Sequence, residues 1–132
     1  MTSLAALVLE RYGILMTPTE AAAHARLLLT RRATVGDTSA EAQAHVTSSP
    51  VNQRQFPEAC TNDPRVIALA YDGFEAFAQR TAERILKEYG DEIDVPRCPK
   101  CRAALDPPTS TRCAQCAAAE AGGAAAQAGA SA

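Results

Sequence analysis

The stretch DPRVIALAYDGFEAFAQRTAERILKEYG, residues 63–90, decides the fold class. Asp63 followed by Pro64 supplies a capping side chain and a residue suited to the first helical turn. Ile67, Ala70, Tyr71, Phe74, Ala78, Thr81, Ile85 and Tyr89 then recur at spacings of three and four. That period predicts one long amphipathic helix with a continuous apolar face. Asp72, Gln79, Arg80, Glu83 and Lys87 occupy the other side, with Glu83 and Lys87 in the favoured i,i+4 order. Gly90 is the stop. The stretch holds two of the chain's three Phe and two of its three Tyr, so it is the expected spine of a mainly α protein.

Upstream, two shorter helices are expected as a helical hairpin. The first spans about residues 2–12, with Thr2 or Ser3 as N-cap and Gly13 as stop; Leu4, Leu7, Val8 and the stem of Arg11 follow helical spacing. The second opens with Thr17-Pro18-Thr19-Glu20, a capping-box pattern with proline at the first position, and runs to about Ala33 or Thr34 before Gly36. Ala21, Ala22, Ala25, Leu28 and Leu29 form its predicted packing side. Residues 35–62 are polar and irregular, with a short helix expected near residues 39–46.

The 132 residues suit one modest domain and a small appendage. The hydrophobic fraction is 47%, but alanine inflates it and there is no Trp. Such a core buries limited apolar surface, and a metal staple or a partner chain would support it. The net charge of −2 argues against a protein that grips nucleic acid through bulk electrostatics. The run Leu4 to Leu9 is short and lacks a preceding basic residue, unlike a signal peptide. A membrane span needs about 20 apolar residues, which the chain never assembles. The expected compartment is the cytoplasm, where paired cysteines serve metals more often than disulfides.

Those cysteines come in two C-x2-C pairs separated by eleven residues: Cys98 with Cys101, and Cys113 with Cys116. Two residues between thiolates let one turn present both sulfurs to one ion, and two such turns complete a tetrahedron. Zinc suits soft thiolates and imposes no ligand-field geometry. With four protein ligands no position stays open for a substrate water, so the expected cofactor is one structural zinc ion. Its binding would supply folding free energy on a scale of ~10–16 kcal/mol. A rubredoxin-like iron site or a redox dithiol are the other readings of the four cysteines.

The segment CPKCRAALDPPTSTRCAQC, residues 98–116, resembles the short four-cysteine zinc ribbons common in bacterial proteins, including the double-zinc-ribbon type. Cys98, Pro99, Cys101, Leu105, Pro107, Pro108, Cys113 and Cys116 match that pattern over about 19 residues. Arg102 and Ala117 stand where glycine is usual, and Arg112 where an aromatic residue often precedes the third cysteine. The resemblance implies a structural metal and a docking or nucleic-acid-binding module. Residues 1–97 carry no resemblance of this kind.

The expected organisation is a helical domain over residues 1–90, a connector over 91–97, the ribbon over 98–116, and a disordered Ala/Gly-rich tail over 117–132. Other chemistry-bearing residues read as structural. Cys60, His24 and His45 can be drawn as a nucleophile and base, yet no elbow or oxyanion loop surrounds Cys60. Arg26 and Arg31 lie about 140° apart on a helical wheel, which no groove-facing stripe would allow; they are expected to be solvated or paired with Glu20. Arg97, Lys100, Arg102 and Arg112 make the ribbon basic, but zinc with four thiolates adds −2.

The reading is therefore a non-catalytic zinc-binding adaptor or regulator that docks on a protein partner through its helical face or ribbon. A nucleic-acid-binding ribbon is the alternative. A small metal-dependent enzyme or an accessory subunit of one, and homo-oligomerisation through the helical face, are further readings.

Overall fold

The computed structural model describes residues 3–111 and 115–116. Among them the chain is mainly helical, with six α-helices and no strand: α1 (Leu4–Tyr12), α2 (Pro18–Ala33), α3 (Ala40–Thr47), α4 (Pro50–Gln55), α5 (Pro64–Ala70) and α6 (Phe74–Tyr89). The expected tail, residues 117–132, lies outside the described residues.

Local capping chemistry sets most of the helix starts. Ser3, Ser39, Ser49 and Asp63 each accept a hydrogen bond from a backbone N–H of the first turn. Thr17 and Glu20 form the full capping box: the Glu20 N–H donates to Thr17 Oγ1 at 3.2 Å and the Thr17 N–H to Glu20 Oε1 at 2.9 Å. The region expected to hold one short helix holds two, because Ser49-Pro50 carries the same cap-and-proline signal as Asp63-Pro64. Gly13 does not stop the chain in a left-handed turn. Its φ is −58°, and a 3-10 turn continues to Leu15.

The expected single helix over residues 63–90 is two helices. Gly73 takes φ 95° and ψ 178°, a conformation that L side chains rarely adopt, and breaks the run after Tyr71-Asp72. Thr38, from the loop before α3, packs against this break. A Cβ on Gly73 would lie 3.2 Å from Thr38 Oγ1. That hydroxyl accepts from the Phe74 N–H at 3.0 Å and so caps α6 in place of the side chain Gly73 lacks. Gln43 is 1% exposed and donates to both Ala70 O (2.6 Å) and Thr38 O (2.9 Å), tying the last residue of α5 to the loop that carries Thr38. Its own amide oxygen accepts from Arg26 Nε at 2.9 Å. Arg26, expected in solvent or paired with Glu20, is thus buried against Gln43.

Because of the break, the apolar face does not run straight through. Tyr71 is 62% exposed, and α5 buries Val66 and Ala70. Helix α6 instead buries two adjoining stripes. Ala78, Ala82 and Ile85 join Leu4, Ala5, Val8 and Leu9 of α1 and Ile93 and Val95 beyond α6. Phe77 joins Ala23 and Leu27 of α2 and Val66 and Ala70 of α5. Helix α1 therefore packs along α6 and α2 along α5 and α3, rather than α1 and α2 forming a hairpin. On α2 the buried residues are Glu20, Ala23, Arg26, Leu27 and Thr30; of the expected Ala21, Ala22, Ala25, Leu28 and Leu29, Ala22 packs, partly buried, against this core. Three of the five inward residues are polar, each with a specific partner, and hydrophobicity alone points to the wrong side.

Glu20 finds its partner on α6. Arg84 Nε and Nη2 donate to Glu20 Oε2 and Oε1 at 2.7 and 2.6 Å, and Nη2 also reaches Leu15 O at 3.0 Å. This bidentate pair ties the start of α2, the 3-10 turn and α6 together. The i,i+4 ion pair on α6 is Arg84 with Glu88, while Glu83 accepts from Gln79. Burial by itself would raise the Glu20 pKa, but hydrogen bonds from Arg84 and the Thr17 amide hold it below the usual glutamate range.

Two outcomes follow for stability. Gln43→Ala strands Arg26 Nε and the Thr38 carbonyl and leaves the Ala70 carbonyl only its bond from the Gly73 N–H, and is expected to cost about 3 kcal/mol in urea unfolding; a cost below about 1 kcal/mol would show that the network does not hold the break. Glu20→Gln is expected to cost roughly 2–3 kcal/mol at neutral pH. Because the folded pKa is depressed, the pair's contribution is complete above the unfolded glutamate pKa of about 4.3. It is lost as pH falls through the lower folded value. The gap between wild type and variant should therefore close under acid conditions and stay constant above about pH 5.

Candidate metal centre

After α6 a 3-10 turn (Gly90–Glu92) leads into an extended segment that buries Ile93 and Val95. A short hairpin follows, built on the antiparallel bridge between Arg97 and Ala104. The Cys98 N–H donates to Ala103 O at 2.8 Å, and the Leu105 N–H to Pro96 O at 2.9 Å. Between them the chain folds into a knuckle. The Arg102 N–H donates to Cys98 O at 2.9 Å, and Arg102 takes φ 66° at the position where the ribbon pattern usually has glycine.

This knuckle gathers thiols. The Sγ atoms of Cys98, Cys101 and Cys116 all lie within 4.8 Å of one another. Metal–sulfur bonds of about 2.3 Å in a tetrahedron separate sulfurs by roughly 3.8 Å, so a single ion can be held by all three with small adjustment. Cys98 is fully buried, Cys116 half-buried and Cys101 exposed, so the cluster sits at the surface with one ligand rooted in the interior. Three of the four expected ligands converge. The fourth, Cys113, lies outside the described residues.

The hairpin is attached to the helices at several points that residue spacing did not reveal. Asp106 Oδ1 accepts from the Leu4 N–H at 3.1 Å, at the first residue of α1. Tyr12, at the last residue of α1, donates its hydroxyl to Asp94 O (3.1 Å) and accepts from the Asp94 N–H (2.6 Å). Arg97 spans the base of the knuckle: Nη2 donates to Gly90 O at 2.7 Å and Nη1 to Arg102 O at 3.2 Å. Leu105 is buried, and Ala104 packs against the α1–α6 core.

His24, His45 and Cys60 do not join the cluster. His24 packs on Phe74 and Phe77, with ring centroids 5.9 and 6.0 Å away. Burial, then repulsion from Arg31, pushes its pKa down. Arg31 itself lies over the Phe74 ring at 4.3 Å, a cation–π contact. His45 is exposed on α3. Cys60 is half-buried near Arg26; burial pushes its thiol pKa up, and the guanidinium only partly opposes this. A thiol raised in this way is a poor nucleophile at neutral pH.

Compared with protein-family models, curated proteins and solved structures, the chain matches none.

The strained knuckle residue gives a direct test. Arg102→Gly removes the left-handed penalty of a side-chain-bearing residue, offset in part by glycine's larger entropy loss. It is expected to stabilise the metal-loaded protein by about 0.5–1 kcal/mol. A loss of stability on denaturant unfolding would show that the Arg102 side chain contributes more than its backbone strain costs.

Proposed function

We propose that the protein is a small, non-catalytic zinc-binding adaptor or regulatory protein. The observation that carries this reading is the convergence of three cysteine sulfurs, one of them fully buried, on one point of a short hairpin. An all-thiolate set favours zinc over hard cations. Cys113 would complete four sulfur ligands and leave no position for a substrate water, so the ion would be structural. Reduced thiolates suit the cytoplasm, and no helix among the described residues is long and apolar enough to cross a membrane.

A protein partner is favoured over nucleic acid. Lys100 and Arg102 are exposed on the hairpin, but the groove beside it is also lined by Asp91, Glu92 and Asp94. Such a mixed surface lacks the basic stripe that phosphate binding requires. Val51 on α4, Phe56 just after it and Tyr71 after α5 are exposed apolar side chains of the kind protein interfaces cover, in a hetero-complex or between copies of the chain.

Metal analysis with X-ray absorption on the untagged full-length chain tests the reading. One zinc per chain with a shell of four sulfurs is the expected result. A nitrogen-containing shell, or no stoichiometric metal, would overturn it. Tight binding to mixed-sequence DNA or RNA that weakens steeply with salt would favour the nucleic-acid alternative instead.

A further inference from the structure

We infer that metal occupancy of the cysteine centre is coupled to the order of helix α1, making the knuckle a metal-dependent clamp on the α1–α6 face. The inference rests on the metal-binding reading above and adds its regulation.

Helix α1 has nine residues, fewer than the ~12–15 at which isolated helices begin to hold in water. Its order must come from what it packs against. Its buried residues share one cluster with Ala78, Ala82 and Ile85 of α6. Ile93 and Val95 belong to the same cluster and Ala104 packs against it, and these three flank the knuckle. Both ends of α1 are also held from that segment: the first N–H, of Leu4, by Asp106, and the last side chain, of Tyr12, by both backbone groups of Asp94. Asp94 and Asp106 bracket the hairpin that carries Cys98 and Cys101.

The hairpin has little to hold it by itself. Residues 93–106 contain one isolated bridge and no helix or strand, and their buried apolar side chains are Ile93, Val95, Leu105 and Cys98. In a segment this small, metal ligation supplies much of the free energy of folding. Loss of the ion would therefore loosen Asp94 and Asp106 together, release both ends of α1, and uncover the Ala78–Ile85 stripe of α6. Linkage makes the effect reciprocal: loosening the contacts to α1 must weaken metal binding by the same factor. Metal availability would then set how much of this apolar face is presented to a partner.

The test uses the full-length chain with Zn2+ as the probe. Amide hydrogen exchange is followed with zinc bound, after chelation, and after zinc is restored. Protection over Leu4–Tyr12 is expected to fall at least about tenfold on chelation and to recover, with α2 and α5 changing much less. In parallel, Tyr12→Phe, which keeps the ring but not the hydroxyl, and Asp106→Ala are each expected to weaken zinc affinity about tenfold in competition with a chromophoric chelator. Their four-sulfur shell should be unchanged. Arg80→Ala, which removes an exposed ion pair with Asp72 and a hydrogen bond to the Leu69 carbonyl at the α5–α6 turn, should leave zinc affinity as it is. Unchanged α1 protection on chelation, or wild-type affinity in both clamp variants, overturns the coupling while the zinc site stands. An equal loss in Arg80→Ala overturns it too, by assigning the effect to general destabilisation. Failure of the wild-type chain to bind zinc removes the metal reading and the coupling together.

Discussion

The break between α5 and α6 is the constraint on which the rest of the arrangement depends. A helix interrupted inside a protein exposes carbonyls at one end and N–H groups at the other, and these must find partners. Here the partners come from elsewhere in the chain. Thr38 supplies the cap for Phe74, and Gln43 bonds the carbonyls of Ala70 and Thr38. Arg26 in turn fixes the Gln43 amide. The polar residues of α2, the loop before α3 and α3 itself are thereby committed to one place. The turn at Gly73 also lets α5 lie on α2 while α6 reaches across to α1, which an unbroken helix could not do.

The two halves of the core are joined along α6. Ala78, Ala82 and Ile85 look toward α1, Phe77 toward α2 and α5, and Phe74 and Met16 touch both clusters. Arg84 adds an electrostatic tie between α6 and the capping box of α2. Glu20 serves in both: one oxygen accepts from its own N-cap, and both accept from Arg84. A small core with few aromatics gains orientation from such paired groups, because each tolerates only one geometry when water is excluded.

The cysteine hairpin extends this construction rather than hanging from it. Ile93, Val95 and Ala104 join the apolar cluster around α1, and Arg97 stitches the knuckle to the end of α6 through two carbonyls. The cluster can hold a metal ion through Cys98, Cys101 and Cys116, with one sulfur fully buried and one exposed.

Much of the local structure was legible in the sequence. The capping box at Thr17 and Glu20, the Asp63-Pro64 start, the short helix after Ser39 and the mainly helical class follow from interactions within a few residues. The two C-x2-C pairs likewise pointed to Cys98, Cys101, Cys113 and Cys116: the turn presenting Cys98 and Cys101 is a local object, the approach of Cys116 to them belongs to the tertiary structure, and Cys113 lies outside the described residues. The tertiary structure decided the rest. Periodicity carried the apolar pattern straight through Gly73, since a wheel records spacing but not the distant Thr38 and Gln43 that make a break favourable. It placed the packing side of α2 on its alanines and leucines, because Glu20 and Arg26 are buried only where Arg84 and Gln43 await them, while Thr30 hides its hydroxyl on the Arg26 carbonyl one turn back. The attachment of the hairpin to α1 through Asp106 and Tyr12 joins residues more than 80 positions apart. No local propensity encodes such a pairing; it exists only once the chain has packed.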